Sequence, residues 1–117
     1  MAVGMSERWD WEIFEEFTKL RDSLRAAKRE KNYQQVLSLG LSILELDKSA
    51  GFLKIVTATF LKDMAEACIR LDDKDSAVRY LKESRDQFKK MQLIRPGYWQ
   101  KDIEMIDRKL EKLEGKK

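Results

Sequence analysis

The sequence predicts an all-α protein in which two helix-turn-helix pairs are followed by a C-terminal capping helix. Apolar residues recur at intervals of three and four along most of the chain, as on the buried face of a helix. Residues that interrupt helices are rare, since one proline and five glycines occur among 117 residues. Two polar turns divide the apolar segments, Lys31-Asn32-Tyr33 and Asp72-Asp73-Lys74-Asp75. Stacked helical pairs present surfaces to partners and do not enclose reaction chambers, so binding is the predicted class of activity.

Length and composition indicate a single domain. The chain has 117 residues, of which 43% are hydrophobic and 38% are charged, as in a largely helical globular protein. We expect a disordered N-terminal lead over residues 1–8, one helical domain over residues 9–114 and a frayed basic tail over residues 115–117.

The first helix is predicted from Trp9 or Asp10 to Glu30. Its apolar residues form a single narrow stripe on one face, composed of Trp9, Ile13, Phe17, Leu20, Leu24 and Ala27.

The segment from Tyr33 to Leu46 fits either a strand or a helix. Apolar and small residues alternate over positions 37–43, which is the pattern of a strand. No other segment offers that strand a partner, and a lone strand leaves its backbone groups without hydrogen bonds. We therefore predict a helix that is apolar almost all round and buried, in which Gly40 costs about 1 kcal/mol relative to alanine.

Three further helices are predicted after a break near Asp47, Ser49 and Gly51. The third, residues 49–71, carries two apolar rows and should lie at the structural centre. The fourth begins at the acidic turn and ends near Lys90, with acids and bases placed to suit the helix dipole. Its buried stripe is Ala77, Leu81, Ser84, Phe88 and Met91. The fifth should begin with Pro96 in its first position and bury Trp99, Ile103, Ile106, Leu110 and Leu113.

The two pairs resemble tetratricopeptide repeats. The segment from Asn32 to Val36 is similar to the family's turn and the opening of its second helix, and Ile43 to Asp47 is similar to its helix ending. Asp75 to Val78 looks like the same opening in a second copy. The turns lie about 41 residues apart, against about 34 in the family. The resemblance implies a divergent, right-handed α-solenoid fragment, five helices in all, that binds peptides or protein surfaces.

The first candidate site is the side of the first helix that faces away from its apolar stripe. Trp11 and Phe14 lie there in line with Arg21 and Arg25, and aromatic side chains beside arginines are typical of binding hot spots. The hypothesis is that this face binds another protein or a second copy of the chain. The alternative is that the second helix or the N-terminal lead covers both rings.

The second candidate site is the polar strip of the third helix, Lys62, Glu66 and Arg70. In a solenoid this strip would line the groove and contact a charged peptide. The alternative is a solvated face with ion pairs between residues four apart.

A helical RNA- or DNA-binding accessory protein is the alternative function. Its contact residues would be Arg79, Lys82, Lys89 and Lys90 on the fourth helix, with aromatic residues of the fifth stacking on bases. Acidic side chains interrupt this surface, and the net charge of the chain is only +3. Nucleic acid is therefore the less favoured partner.

Catalysis is not expected. The chain has no histidine, and Cys68, its one cysteine, lies on a predicted buried row with no base to activate it. The sequence offers no phosphate loop and no metal-ligand spacing. We predict a cytoplasmic, non-enzymatic interaction module, either an adaptor or an inhibitor, with no cofactor, no metal and no membrane partner.

Overall fold

The computed structural model describes residues 2–50 and 57–115, and the side chains of residues 11–49 and 57–115. Within these ranges the structure contains five α-helices and no strand, which confirms the all-α class and the helical choice for the segment after Tyr33. The helices are α1 (Ala2–Arg29), α2 (Tyr33–Ala50), α3 (Thr57–Arg70), α4 (Lys74–Gln92) and α5 (Gln100–Leu113). The chain divides into two compact units, Met1–Val56 and Thr57–Lys117.

Several helix ends differ from the sequence prediction. Helix α1 begins at Ala2, seven residues before Trp9, so the helix includes residues 2–8 of the predicted lead. Helix α2 continues to Ala50, so the predicted break at Asp47 and Ser49 and the start of α3 at Ser49 were wrong. Gly51 and residues 52–56 of the predicted third helix lie outside the described residues.

Helix α5 begins at Gln100, so Pro96 is not in its first position as predicted. The reason is Gly97, whose φ of +82° lies outside helical geometry. The backbone therefore makes a turn after Pro96, and the helix begins only beyond Trp99.

In the first unit, α1 and α2 pack as a helical hairpin. Its buried hydrophobic residues are Ile13, Leu24, Ala27, Val36 and Ile43. Helix α2 is less enclosed than predicted, because Leu41 is 51% exposed. Its fully buried positions, Val36, Gly40 and Ile43, follow the spacing of one helical face.

The turn between α1 and α2 is fixed by backbone hydrogen bonds and a side-chain cap. Lys31 adopts a left-handed φ of 58°. The amide of Asn32 donates to the carbonyl of Ala27 at 2.9 Å, and that of Lys31 donates to Lys28 at 3.1 Å, as in a Schellman motif. The Asn32 side-chain oxygen then accepts a hydrogen bond from the backbone amide of Gln35 and caps α2.

The turn between α3 and α4 has the same construction 41 residues later. Asp72 has a φ of 67°, and its amide donates to the carbonyl of Ile69 at 3.1 Å. The amide of Asp73 donates to Cys68 at 2.8 Å, and the Asp73 carboxylate caps α4 by accepting from the Ser76 amide at 3.2 Å. The two turns predicted from sequence are therefore equivalent in their hydrogen bonds and in their left-handed residue.

In the second unit, α4 packs against both α3 and α5. The core cluster consists of Ala58, Ala65, Leu81, Phe88, Ile103, Ile106 and Leu110. Within α3, both predicted apolar rows are buried, and α3 packs against α4 and forms ion pairs with α5. The buried hydroxyl of Ser84 donates to the carbonyl of Ala58 at 2.6 Å, so this polar group in the core has a partner.

Candidate functional site

The first candidate site is a line of side chains along α1, which we call the aromatic–arginine stripe. It consists of Trp11, Phe14, Thr18, Arg21 and Arg25, spaced alternately by three and four residues. Residues at these intervals share one face of a helix, and the stripe is about 21 Å long at 1.5 Å per residue.

Both aromatic rings of the stripe are exposed. Trp11 is 62% and Phe14 is 45% exposed, and the rings stack with centroids 6.2 Å apart and an interplanar angle of 27°. Since both rings are exposed, helix α2 does not cover them, whereas Ile13, which lies between them in the sequence, is buried. The two rings thus form a continuous apolar surface beside water.

The arginines of the stripe differ in their availability. The Arg21 Nε atom lies 3.4 Å from the Asp22 carboxylate, and its guanidinium lies 5.8 Å from the centroid of the Phe17 ring. Arg25 is exposed, and within the described residues it forms no ion pair. Arg25 is therefore the charged group of the stripe that a partner can engage without breaking an existing contact.

The second candidate site, the polar strip of α3, makes ion pairs with α5. The Lys62 ammonium lies 3.1 Å from the Asp102 carboxylate, so it does not pair with Glu66 as the alternative interpretation expected. Glu66 accepts from Arg70 at 3.2 Å, which is the expected pair four residues apart. The other oxygen of Glu66 accepts from Lys109 of α5, also at 3.2 Å. The strip therefore tethers α5 to α3.

The charge of Glu66 is stabilised by its two partners. Partial burial acts to raise the pKa of Glu66, but the hydrogen bonds and positive charges of Lys109 and Arg70 outweigh burial and hold that pKa below its ordinary value. Glu66 is therefore ionised throughout the neutral range, and its single negative charge is shared between the two cations beside it.

A cleft of about 500 Å³ opens next to these ion pairs. Its lining residues are Glu66, Ile69, Arg70, Lys109, Lys112 and Leu113. Glu66 binds Arg70 and Lys109, but with Lys112 the lining carries three cations and one carboxylate, so the cleft keeps a net positive charge.

The two candidate sites occupy equivalent places in the two hairpins, which the sequence reasoning missed. Lys62 and Glu66 stand 41 residues after Arg21 and Arg25, the same interval that separates the two turns. In the second unit, this side of the hairpin contacts a further amphipathic helix through an ion pair to Asp102. The turn spacing was the signal that related the two sites.

The basic residues proposed for nucleic-acid contact do not form a uniformly free surface. Lys82 pairs with Glu114 at 3.2 Å, and the Arg79 guanidinium lies 5.1 Å from the centroid of the Tyr80 ring. Lys89 and Lys90 are exposed near the other end of α4.

Neither a reactive thiol nor a metal centre is found in the described part of the chain. Cys68 is 1% exposed, and burial together with the nearby charge of Asp73 raises the pKa of its thiol, although Arg79 opposes this in part. The thiolate needed for nucleophilic attack is therefore disfavoured. Within the described ranges, no group of three or more acidic or thiol side chains is placed to hold a metal ion.

Comparison with known proteins returned no relative from which a function could be carried over. No protein-family model matches the chain, and neither a curated protein nor a solved structure shows significant similarity to it. In the parts of the chain that the structure describes, no helix has both the length and the apolar character needed to cross a bilayer.

Proposed function

We propose that the protein is a non-enzymatic interaction module that binds another protein through the aromatic–arginine stripe of α1. The observation that supports this proposal is the exposed, stacked pair of Trp11 and Phe14. Large aromatic rings gain more from burial against a partner than other surface side chains, and they dominate the binding energy of many interfaces. Arg25, exposed on the same face, would add a directed contact to a carboxylate.

The preferred partner is an acidic, partly apolar segment, including one from a second copy of the chain. Two observations favour such a partner over a basic one. Arg25 carries an exposed positive charge, and Lys62, at the position equivalent to Arg21, binds a carboxylate on an amphipathic helix. An adaptor and an inhibitor of a specific target would both use this surface in the same way.

The architecture we propose is a divergent, right-handed α-solenoid of tetratricopeptide type, acting in the cytoplasm. The equivalence of the two turns supports a repeat, because hydrogen bonds and left-handed residues recur at one interval of 41 residues. The cytoplasmic location rests on the single cysteine of the sequence.

The experiment is affinity capture from extracts of the source cell, together with sedimentation velocity over a range of protein concentrations. The test variants are Trp11→Ala with Phe14→Ala, and Arg25→Glu alone. Met105→Ala on α5, also an exposed apolar residue, is the matched control. Circular dichroism checks that each variant retains its helices.

We expect the aromatic double variant to weaken binding at least thirtyfold, which corresponds to about 2 kcal/mol for a hot spot. Arg25→Glu should weaken binding about tenfold, and Met105→Ala should leave it unchanged. If captured proteins and self-association are the same for all variants, the stripe is not the binding surface. Binding of RNA or DNA that falls steeply with salt, and that is lost in Lys89→Glu with Lys90→Glu, would support the alternative function instead.

A further inference from the structure

The connection between α4 and α5 carries two aliphatic side chains that point into solvent, which we call the apolar tip. Leu93 is 84% and Ile94 is 82% exposed, the highest values among the exposed large hydrophobic residues of the described chain. The tip is not a loose loop. The amide of Leu93 donates to Lys90, and the amides of Ile94 and Arg95 both donate to Met91, at 3.0–3.2 Å.

An exposed aromatic side chain follows the tip in the same connection and packs on a ring that contacts the core. Tyr98 is 59% exposed and packs edge-on against Trp99, with ring centroids 4.6 Å apart. Trp99 in turn contacts the buried ring of Phe88 at 5.2 Å. The Arg95 guanidinium lies 4.5 Å from the centroid of the Tyr98 ring, so a cation is held next to the exposed aromatic face.

The chain around the tip is basic and lacks acids. Residues 87–101 contain four cationic side chains, Lys89, Lys90, Arg95 and Lys101, and no aspartate or glutamate. The nearest acid on the C-terminal side, Asp102, is neutralised by Lys62. The exposed apolar tip is therefore flanked in the sequence by cations on both sides, between Asp86 and Asp102.

This combination fits the surface of a membrane better than a pocket in a protein. A pair of exposed aliphatic side chains needs no complementary cavity in order to enter the acyl boundary of a bilayer. Tyrosine and tryptophan favour the interface between headgroups and hydrocarbon, and lysine and arginine beside an apolar insertion are attracted by anionic headgroups.

We propose that the second unit docks peripherally on an anionic phospholipid surface, with Leu93 and Ile94 inserted and Lys89, Lys90, Arg95 and Lys101 over the headgroups. This surface is distinct from the aromatic–arginine stripe, and the sequence-based expectation included no membrane partner. The proposal does not depend on the proposed function, because the two surfaces share no residue.

Co-sedimentation of the full chain with phospholipid vesicles tests the proposal. One set of vesicles is pure phosphatidylcholine, and the other contains phosphatidylserine as well. The test variants are Leu93→Ser with Ile94→Ser, and Lys89→Glu with Lys90→Glu. Controls are Met105→Ser, an exposed apolar residue of α5, and Lys74→Glu, an exposed cation at the opposite end of α4. Circular dichroism confirms the helical content of every variant.

We expect the wild-type chain to bind the anionic vesicles at least about tenfold more tightly than the neutral ones, and raised salt should weaken that binding. Both test variants should lose about tenfold or more in affinity for anionic vesicles, while the two controls keep it. Failure to bind anionic vesicles would overturn the proposal. Vesicle binding that Leu93→Ser with Ile94→Ser leaves unchanged would overturn it too. If the wild-type chain bound no vesicles and this variant lost a captured protein, the tip would be a protein-binding surface instead.

Discussion

At the residue scale, Glu66 illustrates how a charged side chain on a helix surface becomes a link between helices. A glutamate between Lys62 and Arg70 suggests local pairs along α3, and one of those pairs forms. The second link, to Lys109, joins residues 43 positions apart. Local spacing cannot reveal such a contact, because it depends on where α5 packs.

The first prediction concerns this carboxylate. Glu66→Gln should lower the free energy of unfolding by about 0.5 kcal/mol near neutral pH, a modest amount because the ion pairs are partly solvated. The folded protein holds the pKa of Glu66 below its ordinary value, so the stabilisation is present above the pKa of the unfolded state and disappears as the pH falls through the folded value. Urea titrations at a series of pH values from neutral into the acid range should show the difference and then its progressive loss.

The control for this experiment is Glu111→Gln, which removes an exposed carboxylate from α5. The control should change stability little at either pH. If Glu66→Gln lowers the free energy of unfolding as much in acid as at neutral pH, the charge of Glu66 is not the cause of the lost stability.

A second prediction at this scale concerns Cys68. Because the thiol is buried and its pKa is raised, iodoacetamide should modify the native protein at least a hundredfold more slowly than the chain unfolded in urea. Mass spectrometry of timed samples measures both rates. Equal rates in the two conditions would contradict the burial of this side chain.

At the scale of helices, the chain follows local rules where local chemistry decides the outcome. Helical spacing and the polar turns predicted the existence of the helices, and α4 begins at the predicted acidic turn, where Asp73 is the N-cap. The prediction that Pro96 begins α5 was wrong because its neighbour Gly97 has a positive φ, which lies outside helical geometry. The end of α2 was predicted too early because Asp47 and Ser49 are also tolerated inside a helix.

The equivalence of the two turns leads to a third prediction. Lys31 and Asp72 each adopt a left-handed φ that costs a residue with a Cβ atom about 1 kcal/mol relative to glycine. Lys31→Gly and Asp72→Gly should therefore each raise the free energy of unfolding by up to about 1 kcal/mol. Equilibrium urea unfolding measures the change.

A matched control tests whether the backbone conformation is responsible. Lys28→Gly places the same glycine inside α1 and should destabilise the protein by about 1 kcal/mol. Destabilisation by Lys31→Gly or Asp72→Gly would mean that the corresponding turn lacks its left-handed residue. The two turns would then no longer support a repeat.

At the scale of the whole molecule, the sequence predicts the helical class and places the candidate residues on their helices. The exposure of Trp11 and Phe14 depends on which sides of α1 other segments cover. Helical spacing alone is compatible both with exposed rings and with covered rings. The apolar tip was overlooked for a related reason, because Leu93 and Ile94 look like the end of an apolar stripe until the course of the chain after α4 is known.

The central claim is that the aromatic–arginine stripe of α1 is a docking surface, and footprinting with hydroxyl radicals tests it most directly. The oxidation of each side chain is measured by mass spectrometry with and without the captured partner, or at high and low concentration if the partner is a second copy. We expect oxidation of Trp11 and Phe14 to fall several-fold on binding, while the exposed Met105 on α5 keeps its rate. Unchanged oxidation of Trp11 and Phe14, with protection appearing elsewhere, would contradict the claim.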